Sequence, residues 1–210
     1  MRNIFFALLA FFLLDGAAKG ELASNGHAKS LDNVFLLSNR CGYGLGENIL
    51  SKTIDSSINI DNKIISFDFY LVMRLGGRSI RGKLSFSCFV DGLNASGSNV
   101  SNKTTAADEI AFEDSGGRYV RNIVWQRKYE GKGWSGTVAY VNSVYGDQER
   151  LATPDYFLIC PYAINSPCFS FEVLGKRLDK KESDLVPVAL GGIEIVDLRS
   201  TAPERNDGRQ

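Results

Sequence analysis

The sequence predicts an all-β protein, a mainly antiparallel sandwich or barrel of about eight or nine strands, stapled by disulfides and carrying little helix. Three observations lead there. Apolar residues recur with a period of two through the clearest segments, glycines stand where those runs reverse, and four cysteines occur in a chain that opens like an export signal.

The opening is MRNIFFALLAFFLLDGAAKG. Arg2 is followed by an apolar run from Ile4 to Leu14, then by the small residues Gly16, Ala17 and Ala18 before Lys19. Charge, apolar stretch and small residues in that order are the layout of a secretory signal peptide. The run is far shorter than the roughly twenty residues that span a hydrocarbon core. Residues 1–18 are therefore expected to be cleaved, leaving an exported product, periplasmic or extracellular, with no membrane attachment. Residues 19–198 are expected to form a single β domain and residues 199–210, RSTAPERNDGRQ, a disordered tail. Lysine plus arginine equal aspartate plus glutamate at 24 each, so no net field selects nucleic acid as a partner.

Near the mature N-terminus, DNVFLLSNRCGYGLGEN reads as a short apolar strand followed by a glycine-rich turn. Gly42, Gly44 and Gly46 lack the residues that would make this a phosphate loop. The following ILSKTIDSSINI is compatible with a short helix or a strand. The stretch IISFDFYLVMRLGGRSIRGKLSFSCFV, residues 64–90, is far clearer. Ile65, Phe67, Phe69, Leu71 and Met73 share one face before the glycines, and Ile80, Leu84, Phe86 and Cys88 share one after them. A two-residue turn at Gly76 and Gly77 sets Met73 against Ile80, Phe69 against Leu84, Phe67 against Phe86 and Ile65 against Cys88. Turn and pattern agree on one register, and a slip of one residue would destroy the agreement.

Residues 94–105, NASGSNVSNKTT, form a polar loop with acceptor sequons at Asn94, Asn99 and Asn102, which matter only in a glycosylating host. AADEIAFEDSGG adds Asp108, Glu109, Glu113 and Asp114, whose spacing is not that of a calcium loop and which read as a solvated acidic edge. A further hairpin is expected in residues 118–145, with Gly131 and Lys132 as its turn, placing Tyr129 against Trp134, Trp125 against Val138 and Ile123 against Tyr140. GKRLDKKESDLV is a surface connection or short helix, and GGIEIVDL supplies a last strand.

The segments DYFLIC and CFSFEVL fix the cysteine chemistry. Pairing Ile159 with Phe169 and Phe157 with Phe171 puts Cys160 directly across from Cys168, within disulfide reach on neighbouring strands. In an exported chain that pair is expected to oxidise. Cys41 and Cys88 pair by elimination. A metal site lacks donors: there is no C-x-x-C, and the sole histidine, His27, has no partner motif. No metal and no cofactor are expected.

Catalysis by a nucleophile needs a base, and His27 alone is a poor one. Two carboxylates suffice for glycoside cleavage, but nothing singles out a pair, so a small glycoside hydrolase is the third reading. The leading expectation is a non-enzymatic protein-interaction module, an inhibitor or immunity-like binding protein. Its stapled loop Pro161, Tyr162, Ala163, Ile164, Asn165, Ser166 and Pro167 would meet another protein. The alternative is a carbohydrate- or cell-wall-binding module. It would present Trp125, Tyr129, Trp134 and Tyr140, with Arg121 and Arg127 beside the rings, to a glycan.

Overall fold

In the computed structural model, which describes residues 30–90, 105–113, 119–146, 154–162 and 166–196, the period-two runs form strands. The proposed signal peptide, His27, the three sequons, Asp114 and the C-terminal tail lie outside the described residues. The chain begins with helix α1 over residues 30–41. It continues through β1 (Tyr43–Leu45), α2 (Glu47–Leu50), β2 (Thr53–Asp61), β3 (Ile64–Leu75), β4 (Arg78–Phe89) and α3 (Ala106–Glu113). Then come β5 (Tyr119–Gly131), β6 (Trp134–Gly146), β7 (Tyr156–Pro161), β8 (Phe169–Leu174), α4 (Lys180–Ala189) and β9 (Ile193–Ile195).

Strands β2 to β8 make one antiparallel sheet in the order β2-β3-β4-β8-β7-β6-β5, and β1 pairs with β9 in a small ribbon. Among the described residues the sheet has two open edges, β2 and β5, and the architecture is sandwich-like and not a closed barrel. The expected all-β antiparallel class holds.

Gly76 and Gly77 both take positive φ, 58° and 93°, and every pairing expected across β3 and β4 is present, from Leu75 opposite Arg78 to Ile64 opposite Phe89. The β7–β8 register is also the expected one, with Ile159 opposite Phe169 and Phe157 opposite Phe171. The β5–β6 hairpin differs. Its turn lies at Lys132 and Gly133, where Gly133 has φ 81°, so Gly131 faces Trp134, Tyr129 faces Gly136 and Trp125 faces Tyr140. Faces survive this two-residue change because the side-chain period is two. Ile123 does not keep its face. Irregularities on either side of it set it opposite Val141 and turn it to the other side of the sheet.

The largest departure is α1, where the sequence suggested a strand. Its buried positions are Ser30, Asn33, Leu37 and Cys41, a helical spacing, while Phe35 and Leu36 of the apolar run are exposed. Two of those inward positions are polar, and the Asn33 amide donates to the buried Ser56 hydroxyl at 2.8 Å. The tail of ILSKTIDSSINI is β2, and the glycine-rich turn supplies β1. The acidic stretch is the helix α3, capped by Thr105: its hydroxyl accepts from Asp108 N–H at 3.2 Å while the Asp108 carboxylate accepts from Thr105 N–H at 3.0 Å. Helix α4 begins with the same device between Asp179 and Glu182. Glu182 also pairs with Arg78 at 2.6 Å, fixing α4 beside the β3–β4 turn.

The main core lies between the inner sheet face and a layer of α1, α2, α4 and the β1–β9 ribbon. Phe67, Phe69, Phe86, Phe157, Phe169 and Phe171 meet Leu37, Tyr43, Ile49, Val186 and Ile193 there. Full burial of such a side chain is worth about 2–3 kcal/mol. A second, smaller cluster sits on the outer face, where Ala106 and Ile110 of α3 cover Ala139, Val141, Leu158 and Cys160.

Candidate functional site

The loop between β7 and β8 is held at its root from several directions. Cys160 and Cys168 are disulfide-bonded with their Cα atoms 4.2 Å apart. Pro161 is still in the ladder, opposite Gly136 of β6. A Cβ at Gly136 would lie 2.2 Å from the Cys160 carbonyl oxygen, so only glycine lets β7 approach this closely. The Tyr162 N–H donates to the Ser135 carbonyl at 3.0 Å. On the other limb the Tyr43 hydroxyl donates to the Pro167 carbonyl. Pro161 is buried, and Tyr162, Ser166 and Pro167 are half-buried. Ala163, Ile164 and Asn165 lie outside the described residues.

Tyr43 therefore links the loop root to the core. Its ring packs on Phe86 at 5.0 Å and on the edge of Phe169 at 5.4 Å. Burial pushes its phenol pKa well above the ordinary 10.0. The second disulfide, Cys41–Cys88, has its Cα atoms 5.5 Å apart and ties the end of α1 to the end of β4. Cys41 is buried and Cys88 half-buried. Two disulfides suit an oxidising, exported environment.

The aromatic face of β5 and β6 turns inward. Tyr129 is buried and its hydroxyl donates to the Leu190 carbonyl at 2.7 Å. The Trp134 indole N–H donates to the Ile193 carbonyl at 2.9 Å. Tyr140, also buried, stacks on Phe157 at 4.7 Å and donates to the Asp155 carboxylate at 2.6 Å. Trp125 lies 5.7 Å from Tyr140 and 5.8 Å from Phe157, with its indole nitrogen buried and unpaired. Arg127 covers that ring at 4.3 Å and reaches Asp184 of α4 at 2.8 Å. Arg121 is placed on β5 opposite Val144. Tyr129 and Tyr140 are core and Trp125 and Trp134 pack half-buried against it, with Tyr129 and Trp134 bonded to Leu190 and to β9, where an open stacking platform would leave the rings exposed.

Sequence reasoning missed Asp155, a buried carboxylate with several hydrogen-bond partners. Asp155 is buried and accepts from Tyr140 O–H, from Arg177 Nε–H at 3.1 Å and from the Leu178 N–H at 3.2 Å. Its carbonyl accepts from Val173 N–H at 2.7 Å. The carboxylate binds the start of the α4 connection to the sheet; its partners lie far away in sequence, so no local pattern marks it. Among the described residues no three His, Cys, Asp or Glu side chains are grouped to hold a metal ion, and no helix is long and apolar enough to cross a membrane.

No protein-family model matches this chain, nor does any curated protein or solved structure.

Proposed function

We propose that the protein is an exported binding module of the inhibitor or immunity type. It acts outside the cytosol, in the periplasm or the extracellular space, and engages another protein through the stapled loop. The carrying observation is the clamp on both limbs of residues 161–167: disulfide, ladder, Tyr162 to Ser135 and Tyr43 to Pro167. A loop fixed at its root loses less conformational entropy on binding than a free one. Binding is favoured over catalysis because the buried Tyr140 and Asp155, with the exposed Arg177 beside them, are occupied with hydrogen bonds inside the fold. The glycan reading has less support, since Tyr129, Trp134 and Tyr140 direct their polar atoms to the core.

The test compares wild type with a chain whose residues 162–166 are replaced by Gly and Ser, both cysteines being kept. A partner captured from the exported fraction by the first and not the second supports the proposal. Binding to cell-wall glycan that vanishes in a folded Trp134→Ala chain would replace it with the alternative.

A further inference from the structure

The sheet ends at β2, which pairs with β3 on one side; among the described residues no strand pairs with its other side. Such an edge offers a row of backbone donors and acceptors to an incoming strand. Its sequence is TIDSSINID, with Asp55 and Asp61 as its ionisable residues and no cation. Apolar groups stand at both ends. Ile54 is 60% exposed and borders a cleft of about 260 Å³ with Asp55, Tyr70, Arg81 and Leu174. At the far end Asp61, Ile64 and Phe89 lie side by side across three strands, the last two exposed, while Ile60, opposite Ile65, is on the other face of the sheet. Six residues of strand separate Asp55, at the cleft, from Asp61, in that row, roughly 20 Å.

We propose that β2 is a docking edge for an extended, basic segment of a partner protein, which adds to the sheet as an eighth strand. The cleft takes one apolar side chain of that segment, and Ile64 with Phe89, in one row with Asp61, takes another about six residues along. Lysine or arginine between them faces Asp55 and Asp61. A second copy of this chain is the weaker occupant: it would bring two pairs of aspartates to one seam, and the irregularity between Thr53 and Asp55 breaks a regular ladder. The surface is separate from the clasped loop, so the two proposals fail separately.

The probe is a synthetic nonapeptide of alternating valine and lysine with leucine at positions 2 and 8. It is titrated against the full chain by fluorescence anisotropy, with hydrogen exchange followed along β2. The expected result is saturable, salt-sensitive binding that slows exchange of the residue 53–61 amides and weakens about tenfold in Asp55→Lys/Asp61→Lys. The loop-replaced chain should bind the peptide as wild type does. Equal binding of a peptide with glutamate in place of lysine overturns the proposal, as does binding that leaves 53–61 unprotected, or no binding at millimolar peptide. Protection of β2 by concentration-dependent self-association without peptide would assign the edge to a second copy and overturn it too.

Discussion

Cys41–Cys88 joins positions 47 apart, and Cys160–Cys168 joins positions 8 apart. The first crosses between layers, fastening the last turn of α1 to the end of β4. The second stays within one layer, between strands already paired from Ile159–Phe169 down to Tyr156–Glu172. Near Cys41 the helix also has a buried polar tie to the sheet, Asn33 to Ser56. Around Cys160 the ladder, Tyr162 and Tyr43 hold the same ground. The long crosslink should thus govern whether the helical layer stays on the sheet, and the short one whether a loop keeps its shape.

Removing the long crosslink should have the larger effect. In the chain-entropy description Cys41→Ala/Cys88→Ala loses about 4 kcal/mol, which for a domain of this size lowers Tm on the order of 10 °C. Thermal unfolding followed by circular dichroism reads this, and exchange should quicken first in residues 30–41. The comparison breaks if the short crosslink proves the costlier. Cys160→Ala/Cys168→Ala should lose about 2.5 kcal/mol by the same relation, with β7 and β8 amides still protected because their ladder remains. Binding of the captured partner should fall further than this stability loss explains. Equal partner affinity in the two double variants would show that the clamp does not shape the binding loop.

What the residues disclosed beforehand follows the same division between local and distant. The β3–β4 register was legible because Gly76 and Gly77 are adjacent and the turn between them has one solution. In the β5–β6 hairpin, Gly131 and Gly133 flank Lys132, and alternation cannot separate registers two residues apart. Packing decides it. The Trp134 ring occupies the space where a Cβ on Gly131 would sit, 2.1 Å away, so Gly131 serves as the floor beneath the indole and Gly133 makes the turn. Helix α1 was hidden by its composition: Leu31, Phe35 and Leu36 lie on its exposed side, and Ser30 and Asn33 on its buried one. The Cys160–Cys168 pair was legible from compartment and register, and Cys41–Cys88 followed by elimination. Tyr43, which completes the clamp, was not, because Pro167 is 124 positions away.

Tyr43→Phe offers the finest cut between the two crosslinked regions, since the ring touches Phe86 of one and Phe169 of the other while the hydroxyl serves only the loop. The substitution keeps the packing and removes one hydrogen bond, so the expected loss is about 1 kcal/mol at neutral pH. Alkaline pH separates the two contributions. The phenol titrates near its ordinary 10.0 in the unfolded chain and higher in the fold, because burial disfavours the phenolate. Its contribution is complete below pH 10 and is lost as pH rises through the folded value, at about 1.4 kcal/mol per pH unit. Tyr129 is raised by burial as well and adds a slope of the same sign. Unfolding in urea at successive pH values above 10 should therefore show a steep decline in wild type and a shallower one, by one proton, in Tyr43→Phe. An identical slope in both would mean that Tyr43 ionises in the native state. The clamp on Pro167 would then open before the core does, leaving the loop root to the disulfide alone.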